Sequence, residues 1–454
     1  MESVTVLQNF KLVLEPEELI VTTMVEKFTV VPQTPGRRRR LFLSNIDLTL
    51  VAFLETVTFF EPPPSPVALA ELADTFRGAL SRLLVAYDFL AGRLEREREG
   101  ERLEIDCNGA GVVVVTATCS VDMSQLGELR APKPAYKELA RFLQDVGGEE
   151  LRDKPLMLFQ LTQFKCGGLA IATRSNHCLM DGVAGHEFQI NFASFTRGGG
   201  LIVVPNSDRS VFKSRDPPEI NHPHYEYSKL TDLASTFSLR GLCSPTLKQL
   251  PSEELRLVYI SPKRIARLKS EALSDHQLKN CTTFHIIAAK IWKARSITLG
   301  LPNERISTVL FPVDVRKRVV PPAPDGFIGN ALIPGFARAT INELKTASAS
   351  SLVGKVQEGV ERLSDEYVKS GIDWLEVHHG VPSQVDSFSV VAWFKLGLDD
   401  AEYEWGRVKC LSPLEPYPGL VILLPGEKNE GGINICLKLP PDQMKDFYKL
   451  MMED

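Results

Sequence analysis

Apolar and polar positions along this chain alternate between two periods. From 66 to 86 (PVALAELADTFRGALSRLLVA), Leu, Ala and Val recur at helical spacing behind a proline that a helix start tolerates, which predicts a helix. Residues 41–60 (LFLSNIDLTLVAFLETVTFF) read as strand, turn and strand. GERLEIDCN and GVVVVTATCS read as two strands about a glycine turn. Two more apolar, β-branched runs lie between Pro155 and His177, separated by KCGG at 165–168. The second half mixes strands (LRLVYIS, STVLFPVDV) with two helices, TTFHIIAAKIWKARSITLG and SSLVGKVQEGVERLSDEYVKSG. It closes on strands PGLVILLP and GGINICLKL and a short helix, PDQMKDFYKLMME. Helices interleaved with hairpin-linked strands predict a layered α/β fold.

Between 203 and 228 the pattern breaks. VVPNSDRSVFKSRDPPEINHPHYEYS is rich in Pro, Ser and Asp and has little apolar periodicity. A structureless run of this length is unusual inside one compact domain, so it reads as a crossover between domains at 1–202 and 229–454.

Composition narrows the function classes. The 454 residues are 44% hydrophobic and 24% charged, which is ordinary globular usage. Lys+Arg 52 against Asp+Glu 57 leaves a net charge of -5, which argues against nucleic acid or anionic lipid as the main partner. No apolar stretch is long enough for a membrane span. The first nineteen residues carry acids early, without a basic-then-apolar signal pattern, so a cytoplasmic location is expected. The eight cysteines show neither C-x-x-C nor zinc-finger spacing, so reduced, packed thiols and no bound metal are expected.

The candidate chemistry sits in LAIATRSNHCLMDGVAGHEFQINF, 169–192. The first nine residues make a strand ending at His177; Phe188, Phe192 and Phe195 then mark one helix face. A histidine at a strand end suits proton abstraction near neutral pH. By spacing alone it reads more readily as a satisfied structural residue than as a base, and Asp181 before Gly182 as a helix N-cap.

HCLMDG at 177–182 resembles the HxxxDG motif of the BAHD family of plant CoA-dependent acyltransferases. Further family landmarks follow in order: LSNID at 43–47, YDFLAGRLE at 87–95, LEIDCNGAGV at 103–112, QLTQFKCGGLAI at 160–171, DRSVFKSRDPP at 208–218 and PVDVRKRVVPPAPDGFIGNAL at 312–332. The family's DFGWG signature is altered here to Glu402-Tyr403-Glu404-Trp405-Gly406. Because glycine often marks a backbone shape that a side chain cannot share, the change at Glu404 is expected to alter this loop and the affinity for CoA.

The resemblance implies two similar mixed-sheet domains of chloramphenicol-acetyltransferase-like type, with a channel between them. It implies acyl-CoA as co-substrate, no permanently bound cofactor, a hydroxylated small-molecule acceptor and a monomer. His177 would be the general base of a direct transfer without an acyl-enzyme, consistent with the lack of a G-x-S-x-G elbow. Asp181, with Gly182, would support the site structurally by pairing with Arg316. Backbone N–H groups near Asp181-Gly182, or the Trp405 indole, are candidates for oxyanion stabilisation.

Asn176 and Lys395 bear on the acceptor. Shikimate-using members usually carry His and Arg at these positions, and NHCLMDG with PPEINHPHYEYSKLTDL is more similar to members acting on fatty alcohols and ω-hydroxy acids. A hydroxycinnamoyl donor (feruloyl, caffeoyl or coumaroyl) with such an acceptor is the reading taken. A shikimate, quinate or small-phenolic acceptor remains the alternative, and the altered signature leaves open a non-catalytic accessory role in wax-chain elongation. Other features read as structural: Arg37 to Arg40 as a solvated loop, Gly198 to Gly200 as a helix stop, His378-His379 as surface, Cys178 as packing and Trp292 as core.

Overall fold

The computed structural model describes residues 10–11, 20–229 and 253–453, except 98, 99, 101, 145, 149, 384, 385, 418 and 428. The expectations that fall on 1–9, 12–19 and 230–252, including Cys243 and the end of SKLTDL, lie outside the described residues.

Two seven-stranded mixed sheets form the frame. In spatial order the first holds Glu402–Tyr403, Gly406–Pro413, Phe53–Phe60, Leu169–Asn176, Met157–Gln163, Val112–Cys119 and Thr22–Val30. The second holds Phe10–Lys11, Glu254–Ile260, Ile433–Leu439, Leu420–Pro425, Ser387–Ala392, Ile306–Asp314 and Leu332–Thr340. Neither sheet is built from one side of the crossover alone. Gly406–Pro413 pairs antiparallel with Phe53–Phe60, placing Leu411 opposite Thr58. Phe10–Lys11 pairs with Glu254–Ile260.

Helices cover these sheets with the faces their spacing predicts. Leu69–Leu83 buries Leu72, Phe76, Ala79, Leu80 and Leu83, and Phe76 meets Phe192 of Gly182–Thr196 edge-on at 4.9 Å. Thr283–Thr298 is fully buried at Ile287, Ile291 and Trp292 against the second sheet. The run SSLVGKVQEGVERLSDEYVKSG is two helices rather than one, Ala349–Glu361 and Asp365–His378. Ser364 starts the second by accepting from Tyr367 N–H at 3.3 Å, an N-cap inside a continuous apolar period.

The arginine run is more than a solvated loop. Arg38 pairs with Asp106, Arg39 with Asp88 at 2.7 Å and Arg40 with Glu95 at 2.6 Å, tying this segment to the strands Leu103–Asp106 and Arg93–Arg96 and to the turn Asp88–Ala91. The crossover is pinned by similar means. Arg215 reaches Asp373 at 2.6 Å, and buried His224 bridges Glu226 (2.7 Å) and Ser370 (2.9 Å).

Candidate active site

His177 follows the strand Leu169–Asn176, and its backbone N–H donates to Ala52 O at 2.7 Å. Asp181 is the N-cap of Gly182–Thr196, accepting from the N–H groups of Val183 and Ala184, both at 3.1 Å. The same Oδ1 accepts from Arg316 Nη2 at 2.8 Å, and Oδ2 accepts from Ala331 N–H at 2.9 Å. Cap and ion pair therefore coexist on one fully buried carboxylate. Burial works against the Arg316 guanidinium, yet Asp181 and Asp314 hold its pKa above the ordinary value.

The segment Gly329 to Ala331 comes from beyond the crossover and grips the histidine loop. Gly329 O accepts from Asp181 N–H at 3.2 Å. Asn330 is fully buried and faces His177 Nδ1 through Oδ1 at 3.2 Å, while its Nδ2 donates to His177 O and to Asp47 Oδ1, both at 2.9 Å. Asp47 is held in turn by Ser44 and by Arg209, whose guanidinium stands 3.1 Å from it with both side chains fully buried. Arg209 also donates to the carbonyls of Cys178 and Leu179, both at 2.8 Å.

Sequence reasoning missed Asn330, Asp47 and Arg209 as site residues, although each lies in a quoted landmark. The available signals were a polar Asn inside the apolar run GFIGNALI and the Ser44-x-x-Asp47 capping-box spacing.

A cavity of about 570 Å³ opens beside His177. Leu54, Thr56, Thr58 and Phe60 line it from one strand, Met157 and Phe159 from a second, and Ile171, Thr173 and Ser175 from a third. These are alternate residues, so one face of the first sheet forms a wall. Gly182, Phe188, Gln189 and Phe192 add a helix wall, and Phe284, His285, Val313, Trp393 and Lys395 close it from the second sheet's side. Burial and the Lys395 charge hold His285 below the ordinary histidine pKa. Gln189 Oε1 is buried with no hydrogen-bond partner among the described residues.

Three expectations change here. Asn176 does not line the cavity: it is buried, and its Oδ1 caps the turn by accepting from Cys178 N–H at 3.2 Å. Trp405 is also absent from the cavity wall, because it packs into an aromatic cluster with Phe60, Phe76 and Tyr403. Glu404 does not distort its loop. Of the two residues, only Gly406 has positive φ (124°), and Glu404 N–H donates to Thr196 Oγ1 at 3.1 Å, tethering the hairpin to the end of Gly182–Thr196. The glycine this turn requires is the one retained.

Within the described residues, no group of His, Cys, Asp and Glu could hold a metal ion, and no helix is long and apolar enough to cross a membrane.

The sequence matches the family model described as the transferase family over residues 19–454. It is similar to acyltransferase GLAUCE of Arabidopsis thaliana, with 33% identity and 95% coverage of each chain. Two further Arabidopsis thaliana relatives are fatty alcohol:caffeoyl-CoA acyltransferase (32% identity; 96% of this chain, 98% of the other) and omega-hydroxypalmitate O-feruloyl transferase (30%; 94% and 92%). Among solved structures, vinorine synthase superposes with a TM-score of 0.71 at 21% identity, over 94% of this chain and 96% of that one. F. graminearum TRI101 complexed with coenzyme A and deoxynivalenol gives 0.70 at 17%, over 90% and 96%. The chain belongs to the BAHD family and is a CoA-dependent acyltransferase that takes its acyl group from a CoA thioester co-substrate.

Proposed function

We propose that the enzyme moves a hydroxycinnamoyl group from CoA to the primary hydroxyl of a fatty alcohol or ω-hydroxy fatty acid, with His177 as general base. The observation that carries this reading is the cavity: one long, largely apolar sheet face runs away from His177, as an alkyl chain would require. The relatives named for a fatty-alcohol and an omega-hydroxypalmitate acceptor support it.

Asp47 supplies the orientation. A carboxylate only accepts, so Asn330 must present its NH₂ to Asp47, which turns Oδ1 toward His177. Nδ1 then carries the hydrogen, and Nε2 is left as the basic nitrogen on a side chain that lines the cavity. Nε2 takes the acceptor's hydroxyl proton as the oxygen attacks the thioester carbonyl. The tetrahedral oxyanion collapses with cleavage of the C–S bond, and the imidazolium returns the proton to the departing thiolate. Gly182 N–H, at the first turn of a fifteen-residue helix and on the cavity wall, is the oxyanion donor in this scheme. A side chain at 182 would collide with Leu396, with Cβ 2.5 Å from its Cδ1.

A second reading has one observation in its favour. Lys395 lines the cavity and is exposed, standing 5.9 Å from the Phe284 ring, where it could face a shikimate or quinate carboxylate. The test is transfer by purified enzyme from several hydroxycinnamoyl-CoAs to a panel of long-chain alcohols, ω-hydroxy acids and shikimate, read by mass spectrometry. Transfer to shikimate alone overturns the long-chain reading.

A further inference from the structure

We propose that Tyr403 is a specificity-determining residue that hydrogen-bonds the far end of the acceptor, and that the acceptor is a long α,ω-bifunctional chain with a neutral oxygen function at that end. This inference rests on the long-chain reading above.

His177 and Tyr403 line the same cavity from opposite ends of one strand. Phe53 pairs with Asn176, next to His177, whereas Phe60 at the other end meets the Tyr403 ring edge-on at 5.4 Å. Eight residues of strand at about 3.3 Å each separate the two ends by on the order of 20 Å. A hydroxycinnamoyl group held at the reacting centre is too short to reach Tyr403. An extended chain of roughly sixteen carbons does reach, since bonds of about 1.5 Å advance it by about 1.25 Å per methylene.

Tyr403 stands where the family's signature has phenylalanine. Its ring is locked, stacked on Trp405 at 5.1 Å and edge-on to Phe192 at 5.9 Å, and the residue is only 8% exposed. A phenylalanine would fill the same place. The hydroxyl adds nothing to this packing and has no hydrogen-bond partner among the described residues, yet it belongs to a side chain on the cavity wall. Burial keeps the phenol protonated, so it acts as a donor to a ligand oxygen. Apart from His177 at the opposite end, the positively chargeable wall residues are His285 and Lys395, which lie beside Phe284 on the second sheet's side. A neutral hydroxyl or esterified carboxyl therefore suits the Tyr403 end better than a bare carboxylate.

The experiment compares the unaltered enzyme and Tyr403→Phe with one hydroxycinnamoyl-CoA and three acceptors: 1-hexadecanol, 1,16-hexadecanediol and 1,8-octanediol. For the sixteen-carbon diol, Tyr403→Phe is expected to lower kcat/KM by roughly 5–20-fold, the worth of one buried hydrogen bond. Hexadecanol and the shorter diol, which offer Tyr403 no partner, should be unchanged, as should Tm. Equal effects on all three acceptors, or no effect on any, overturn the role of Tyr403, and an equal effect on the two diols overturns the length assignment. If the unaltered enzyme transfers to none of the three, the long-chain reading itself fails and this inference falls with it. If it uses all three and the ratios do not move, only this inference fails.

Discussion

Asp47 and Asn330 are 283 residues apart in the chain, yet one oxygen of Asp47 accepts from both the backbone N–H of Asn330 (3.0 Å) and its side-chain amide (2.9 Å). This paired contact orients the amide and, through it, the imidazole of His177. It is also a point where the two parts of the chain meet beside His177. Arg209 stands behind Asp47, so a buried ion pair anchors the arrangement.

His177→Ala should lower acyl transfer by roughly 10²–10⁴-fold, the usual worth of a positioned base, with Tm nearly unchanged. Near-normal turnover by this variant would remove His177 from the mechanism.

Asn330→Ala tests positioning rather than binding. Without the Oδ1 acceptor, nothing selects the Nδ1–H tautomer, so kcat should fall by about tenfold or more while KM for acyl-CoA stays the same. An unchanged kcat with a raised KM would mean that Asn330 serves only binding.

Asp47→Asn should behave differently. It leaves Arg209 buried without a counter-charge, a defect worth about 3–5 kcal/mol, so soluble yield and Tm should drop before kinetics become informative. Thermal unfolding decides this, and an unchanged Tm contradicts the anchoring role.

Asp181 and Arg316 form a pair with unequal duties. Arg316→Ala removes its ion pairs with Asp181 and with half-exposed Asp314, whereas Asp181→Ala removes the first of these, uncaps Gly182–Thr196 and strands Ala331 N–H. Asp181→Ala should therefore be the more destabilising by about 1 kcal/mol or more, and the double variant should lose less than the sum. Additive losses in denaturant titrations would show that the two side chains do not act together.

An alcohol chain-length series, with shikimate assayed before and after Lys395→Met, separates the two acceptor readings. Burial of each methylene is worth about 0.8 kcal/mol, so kcat/KM should climb over successive additions before levelling at the cavity's end. A flat profile with strong, Lys395-dependent shikimate transfer favours the alternative.

Much was legible in the sequence because it is encoded locally. The helix Leu69–Leu83 and the strand Leu169–Asn176 follow from apolar spacing, and the N-cap role of Asp181 from its place before Gly182. Arg316 came only with the family likeness, and His177, placed at a strand end by its spacing, was preferred as a base over a structural residue only through that likeness, since a lone histidine or arginine has no distinguishing period. Tertiary structure alone decided the rest. Strand pairing carried Gly406–Pro413 back to Phe53–Phe60, which set Tyr403 on the cavity wall and buried Trp405 away from it. Register put alternate residues of three strands on one wall, and chain return brought Asn330 and Asp47 to His177. Periodicity records which face of an element is buried, but it carries no information about which distant element covers that face or which polar group meets another there.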